Sequence, residues 1–342
     1  MSAWSASPRA VACPDSLKGV LAAREAAAAL ATGLRRGGVE AEERPLADGG
    51  EGTAEVLVEA LGGEWRVADV SDPLGRPVQA RYGIVPIAGD PAAVVESAEA
   101  IGLWRLERGE LDPVRASSRG LGELILAAVA SGAERLIVTL GGSATVDGGA
   151  GMREVLDDLP IPVQVACDVR NPLLGERGAA RVFGPQKGAT PEEVEELERR
   201  LASMHELRGL ADLAGAGAAG GLGAALAALG AELVPGIELV LDLIDFECSL
   251  GNADFAVTGE GAVDSSSAEG KTAAGVAAAC ARAAVPCVVF GGRVEPGAAA
   301  TLCALGATSV LRLSGNPRQA GSDLAELGEA LARLVRAVSG SR

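Results

Sequence analysis

Five stretches of the chain gather glycine, carboxylate, hydroxyl and lysine groups closely enough to act on one ligand. Asp15-Ser16-Leu17-Lys18-Gly19 offers a lysine at the mouth of a following helix, where free amides and the helix dipole favour a phosphate. Taken alone, it reads more readily as an Asp/Ser helix cap with an exposed lysine. Ala47-Asp48-Gly49-Gly50-Glu51-Gly52-Thr53 brings backbone amides near a ligand, and its two carboxylates could hold a divalent cation or accept a hydroxyl proton. Gly141–Gly151 sets five glycines beside Ser143, Thr145 and Asp147 directly after an apolar run, the composition of an anion cradle opening a helix.

The other two stretches imitate familiar motifs and fail their requirements. Gly215–Gly220 matches G-x-G-x-x-G, but the preceding Leu207–Ala214 carries Arg208 and Asp212 and no β-branched residue, so no strand leads into it. The acidic residue expected about 20 positions on is ambiguous, with Glu238 nearest, and the dinucleotide reading is rejected. A glycine-rich helix start packed closely on a neighbour fits better. Thr258–Lys271 ends in Gly270-Lys271-Thr272 like a P-loop, yet Ser265 stands where that motif needs glycine. Glu260 and Asp264 beside Lys271 still offer metal ligands and a cation for phosphate.

These loops need rigid elements behind them, and the chain supplies a repeated strand, glycine-rich loop, helix pattern. Strands are expected at Arg9–Cys13, Glu43–Leu46, Arg135–Leu140, Val163–Cys167 and Phe255–Thr258. Helices are expected at Ala22–Arg36, Leu121–Ala130 and after Thr190, where Thr-Pro-Glu-Glu reads as an N-cap followed by proline. Between Glu64 and Glu96 the runs Trp65–Val70, Val78–Val85 and Ala93–Glu96, separated by turn residues, read as a smaller mixed sheet. Ligands of open α/β sheets bind beyond the carboxyl ends of strands, which is where most of the five loops fall.

Composition narrows the function further. A length of 342 residues suggests one large or two medium domains, and with 48% hydrophobic but 2% aromatic residues the core must be built from Ala, Val and Leu. Acidic residues outnumber basic ones by 46 to 30, for a net charge of −16, which disfavours a nucleic-acid partner. The six cysteines show no C-x-x-C spacing and no signal peptide is evident, so they read as reduced, mostly buried, in a cytoplasmic protein. The single histidine, His205, lies in a charged helical stretch and reads as a surface residue. The longest apolar region, Leu222–Ile244, holds Glu232, Glu238, Asp242 and Pro235 and cannot span a membrane.

Taken together and in order, the loops resemble the bacterial-type glycerate kinase family, which does not use a P-loop. The resemblance covers nearly the whole chain. It rests on Pro14–Gly19 (PDSLKG), Ala47–Thr53 (ADGGEGT), Asp72–Arg76 (DPLGR), Gly141–Met152 (GGSATVDGGAGM), Ala166–Leu174 (ACDVRNPLL), Phe183–Ala189 (FGPQKGA), Gly215–Gly223 and Thr258–Lys271.

The resemblance implies two α/β domains with a cleft between them. One is Rossmann-like with a parallel sheet, expected at 1–63 with 244–342, and the other, at 64–243, carries a mixed sheet. It implies transfer of the γ-phosphoryl of ATP, with Mg²⁺, to a hydroxyl of D-glycerate, giving 2-phosphoglycerate rather than 3-phosphoglycerate. On this reading Lys18 meets the transferring phosphate, with Lys271 as a second cation. Asp48 and Asp147 serve as base or metal ligand. Ser16, Ser143 and the glycines at 49, 50, 141 and 142 receive phosphates. Arg76, Arg115 and Lys187 meet the glycerate carboxylate, and Asp48, Glu51 and Glu260 hold the metal. The oligomeric state stays open, a homodimer included. Ala262, Ser266 and Val146 stand where the family usually has arginine, glutamine and asparagine. They motivate the alternative of a non-catalytic or substrate-shifted homologue that binds a nucleotide or small hydroxy acid.

Overall fold

Apolar runs of small and β-branched residues, each closed by a glycine or polar turn, become the strands of two sheets in the computed structural model, which describes residues 8–268 and 271–339. In chain order the first six are β1 (Arg9–Ala12), β2 (Glu40–Glu43), β3 (Glu64–Ser71), β4 (Pro77–Ile87), β5 (Asp90–Glu96) and β6 (Arg135–Thr139). They are followed by β7 (Val163–Cys167), β8 (Glu232–Pro235), β9 (Phe255–Val263), β10 (Cys287–Val294) and β11 (Ser309–Arg312). The chain divides into two compact units, Met1–Asp48 with Ile237–Arg342, and Gly49–Gly236.

The first unit is a five-stranded sheet in the order β11-β10-β9-β1-β2, parallel throughout. Ala10–Ala12 of β1 and Phe255–Val257 of β9 are apolar and buried, as a sheet covered on both faces requires. Leu30 and Leu34 of the helix Ala23–Arg36 pack with Phe255, Val257, Phe290 and Leu324 into one core. The helix Thr272–Ala283 covers β9 and β10 separately from that cluster. The second unit carries a six-stranded sheet, β3-β4-β5-β6-β7-β8, antiparallel from β3 to β5 and parallel from β5 to β8. Leu121, Leu124 and Ile125 of the helix Arg119–Ala130 seal it against Leu136 and Val138.

Four expectations shift. The strand expected at Glu43–Leu46 lies at Glu40–Glu43, an edge strand of charged residues, and Leu46 is buried beyond its end with its N–H on Pro14 O at 3.0 Å. β9 runs on to Val263, so Glu260 and Gly261 sit on a strand and not in a loop. The helix after Thr190 ends at Ser203, and His205 opens a separate 3₁₀ segment, exposed, with Arg208 Nη2 2.7 Å from its Nδ1. The helix Thr53–Ala60 belongs with the mixed sheet, because it packs on β4 and β5; the unit boundary therefore falls at Asp48 and not at residue 63. Gly270 lies outside the described residues, as does the side chain of Ser266. No helix among the described residues is long and apolar enough to cross a membrane. Of the cysteines, all without disulfides, Cys13, Cys280 and Cys287 are buried while Cys248 and Cys303 are exposed.

Candidate active site

The strand order of the first unit points to where a ligand belongs. From β1 the chain moves to β2 on one side, and later from β9 to β10 and β11 on the other. The boundary between β1 and β9 is therefore the topological switch point, where crossovers leave in opposite directions and open a crevice beyond the strand ends. Asp15–Lys18 follows β1 there, and Glu260–Asp264 forms the end of β9 and its exit. A pocket of about 650 Å³ occupies this position, and Ser16, Lys18, Asp48, Glu260 and Lys271 all line it.

Five carboxylates line this pocket: Asp15, Asp48, Glu260, Asp264 and Asp323. Asp15 and Asp48 are buried, and Glu260 is largely so. Burial, then the neighbouring Asp48, pushes the Asp15 carboxyl up to about 6, against hydrogen bonds from the Thr272 hydroxyl and the Ser16 N–H. Burial pushes Glu260 up to about 7, opposed by the Ser267 hydroxyl and by Lys271. Glu260 Oε1 is buried with no hydrogen-bond partner, a state that costs roughly 1–3 kcal/mol and needs a reason. A cation or a donor arriving with a ligand would supply it.

Among the described residues no three His, Cys, Asp or Glu side chains form a ready-made metal cage. That is compatible with Mg²⁺, which keeps several waters and binds through one or two carboxylates plus phosphate oxygens. The donor set, all carboxylate oxygen with one orphaned atom, fits such an ion.

The helix expected from Ala22 to Arg36 runs over Ala23–Arg36, and a tight Leu17–Leu21 turn separates Lys18 from its start. Asp15 does not cap it; its carboxylate accepts from Thr272, at the start of a different helix. The helix dipole facing this pocket is thus that of Thr272–Ala283, whose N-cap residue is Lys271.

The second unit assembles its own constellation, and the loop 47–53 is split, since Gly49–Thr53 belong here. Gly49 packs on Gly236 and Ala166. Gly141 presses on the other glycine loop: a Cβ there would lie 2.7 Å from Gly50 Cα and 2.9 Å from Glu51 N. Gly142 adopts φ +68° and abuts the Glu51 carboxylate, where a Cβ would come within 1.9 Å of Oε1. Glu51 is therefore placed against Gly142 and is not one of the first unit's carboxylates. Gly220 at φ +73° would drive a Cβ to 2.1 Å from Thr145 O, so the G-x-G-x-x-G stretch is a close-packing device.

Asp147 is where the cradle reading changes. Its Oδ2 accepts from Ser118 N and Ser118 Oγ, both at 2.8 Å, and from Gly151 N at 3.1 Å, while Oδ1 accepts from Gly149 N at 3.1 Å. The Gly149 and Gly151 amides of this loop are thus satisfied by the chain's own carboxylate, whereas the Gly141 and Gly142 amides, expected on phosphates, are not among its donors. Through these four bonds Asp147 clamps its loop. Lys187, expected on a substrate, is buried behind the same loop, with Nζ on Ser143 Oγ at 3.1 Å and Thr145 O at 2.8 Å. Burial lowers its pKa to about 7, with Asp147 opposing. Arg76 is also occupied, pairing with Asp72 at 2.5 Å and Glu110 at 2.6 Å across a turn. Arg115 differs: its side chain is 78% exposed and its Asp112 partner lies at 4.0 Å.

Sequence reasoning passed over Thr272 and Ser118 and did not place Asp15 or Glu96 in a site. Glu96, at the end of β5, is 7% exposed and accepts the Ala54 N–H at 2.7 Å. Burial pushes it up to about 7 against hydrogen bonds from Ala54 and Gly52. It caps the helix Thr53–Ala60, whose own N-cap residue, Gly52, has no side chain to do so. A glutamate closing an apolar strand was the available signal.

A parallel sheet with carboxylates and lysines gathered at its switch point is the layout of an α/β enzyme that handles an anionic small molecule. The model of the glycerate kinase family matches residues 10–159 and 156–341, and the chain belongs to that family. It is 41% identical over 329 residues to the glycerate kinase of Halalkalibacterium halodurans, covering 84% of this chain and 86% of that protein. It is 40% identical over 309 residues to the glycerate 2-kinase of Escherichia coli, covering 78% and 80%. A crystal structure from Salmonella typhimurium LT2, assigned as glycerate kinase 2, superposes with a TM-score of 0.82 at 36% identity, covering 98% of this chain and all of that one.

Proposed function

We propose that this chain catalyses ATP-dependent phosphorylation of D-glycerate at its 2-hydroxyl, with Mg²⁺, in the manner its relatives' names indicate. The observation that carries the site assignment is the orphaned Glu260 Oε1, buried beside Asp15 and Asp48 in a pocket that also holds Lys18 and Lys271. Phosphoryl transfer needs positioning, charge neutralisation and a proton acceptor more than covalent chemistry, and this group supplies all three.

Lys18 and Lys271 hold the terminal phosphates, aided by the amide end of the helix Thr272–Ala283. Glu260 and Asp15 would hold Mg²⁺, which would supply neutralisation of charge on the phosphates. Asp48 accepts the proton as the glycerate hydroxyl oxygen bonds to the γ-phosphorus and the bond to the bridging oxygen of ADP breaks. Arg76 and Lys187 are already committed to internal partners, so neither is assigned to the glycerate carboxylate. Asp147, Ser118, Lys187 and Glu96 position the glycine loops.

A coupled assay of ADP release with ATP, Mg²⁺ and D-glycerate, with ³¹P NMR of the product, tests the reading. The expected result is ADP formed in step with 2-phosphoglycerate. Ligand binding without ADP release would favour a non-catalytic homologue. Ala262 lines the same pocket, so a panel of related hydroxy acids in that assay reveals a shifted substrate.

A further inference from the structure

The pocket of the first unit extends well past the carboxylates and lysines. Its far end lies beyond β10 and β11, walled by Arg293, Arg312 and the segment Leu313–Pro317. Arg312 closes β11, where its neighbour in register is Gly291 of β10, and Arg293 stands two residues further along β10, opposite Ala262 of β9. Elsewhere in this acidic chain Arg44, Arg66, Arg81, Arg119 and Arg181 each pair with a carboxylate. Arg293 and Arg312, both exposed, form no ion pair among the described residues, although both line one pocket. Two guanidinium groups that line one pocket and make no ion pair among the described residues can receive an anion from outside.

The wall beside them is fixed in advance. Leu313 N donates to Gly291 O at 2.9 Å. Asp323 accepts from Ser314 N and Ser314 Oγ, Ser314 Oγ accepts from Asn316 N, and Asn316 Oδ1 accepts from Arg318 N. Leu313 and Pro317 give that wall an apolar surface. A volume of about 650 Å³ is in the range that holds a whole small-molecule ligand, and a triphosphate alone would leave the far end empty.

We infer that the far end seats the nucleoside-proximal half of ATP: Arg293 and Arg312 pair with the α- and β-phosphates, and the ribose and base lie along Leu313–Pro317. This rests on the kinase reading above, and it orients the nucleotide, with the γ-phosphate toward Lys18, Lys271 and Glu260. Arginine suits the inner phosphates, because its planar fork binds phosphate oxygens bidentately.

Calorimetric titration of ADP and, separately, of D-glycerate into the wild-type protein and into Arg293→Ala, Arg312→Ala and Arg36→Ala tests the inference. Arg36 is exposed on the helix Ala23–Arg36, outside the pocket, and controls for net charge. ADP affinity is expected to fall by about 10-fold or more in each pocket variant and to stay unchanged in the control. KM for ATP should rise while KM for glycerate holds. Photolabelling with azido-ADP should mark residues 313–317. ADP affinity retained by both pocket variants, or labelling only elsewhere, overturns the inference and leaves the kinase reading standing. Glycerate phosphorylation absent from the wild type, with ADP still lost in the two variants, sinks the kinase reading and keeps the nucleotide seat. An absence of ADP binding to the wild type overturns both.

Discussion

Two regions of this molecule are written in nearly the same alphabet of glycine, carboxylate and lysine, and a carboxylate in each, Glu260 in one and Asp147 in the other, ends in the opposite state. At the switch point of the parallel sheet, Asp15 and Glu260 are pushed toward neutrality and Glu260 Oε1 is left without a partner. In the mixed-sheet unit, Asp147 accepts four internal hydrogen bonds and Lys187 is buried against Ser143 and Thr145. A buried polar group with its bonds complete stabilises one loop conformation, whereas one left incomplete is poised for something not yet bound. Residue type proposes a site; hydrogen-bond satisfaction separates chemistry from scaffolding.

That contrast can be broken by substitution. The largest effect is expected from Lys18→Ala, which should lower turnover about 10²-fold or more, as loss of a charge stabiliser does, with the melting temperature unchanged. A normal rate would remove Lys18 from the mechanism. Asp147→Ala should behave oppositely. It strands the Ser118, Gly149 and Gly151 donors and should cost about 3 kcal/mol of stability, read as a lower urea midpoint. An Asp147→Ala protein as stable as the wild type would contradict the clamp.

A smaller effect concerns Glu96, whose folded pKa of about 7 lies above its ordinary 4.5. The folded state then binds more protons between those values, so this group's contribution to stability is full below about 4.5 and is lost as pH rises through 7. Glu96→Gln should match the wild type near pH 5 and exceed it near pH 8 in chemical denaturation by a few kcal/mol at most. Parallel pH profiles for the two proteins would show that Glu96 is not buried as a neutral cap.

Much of this fold could be read from the chain because its strands are apolar runs punctuated by glycine. Val163–Cys167 stands where the pattern predicts it, and Thr190 caps its helix through Glu193 N. The edge strand Glu40–Glu43 was illegible for the converse reason: three of its four residues are glutamate, and it exists only because β1 offers it a parallel partner. Of the site, the types and approximate places of Lys18, Asp48, Glu260 and Lys271 were legible, since all line one pocket. What could not be read was satisfaction. The Asp15–Thr272 bond joins residues 257 apart in sequence, and the Asp147–Ser118 bonds join residues 29 apart. Lys187, expected on the glycerate carboxylate, follows Gly-Pro-Gln in a 3₁₀ turn, and only tertiary packing reveals its burial.

The central claim is that the unsatisfied carboxylate at the switch point does chemistry while the satisfied one holds structure. Measuring turnover and melting temperature together for Glu260→Gln tests it most directly. Turnover is expected to fall about 10²-fold with an unchanged or higher melting temperature, because the substitution relieves the cost of burying this carboxylate, which Ser267 and Lys271 offset only in part. Full activity, or a loss of activity that merely tracks a fall in melting temperature, would contradict it.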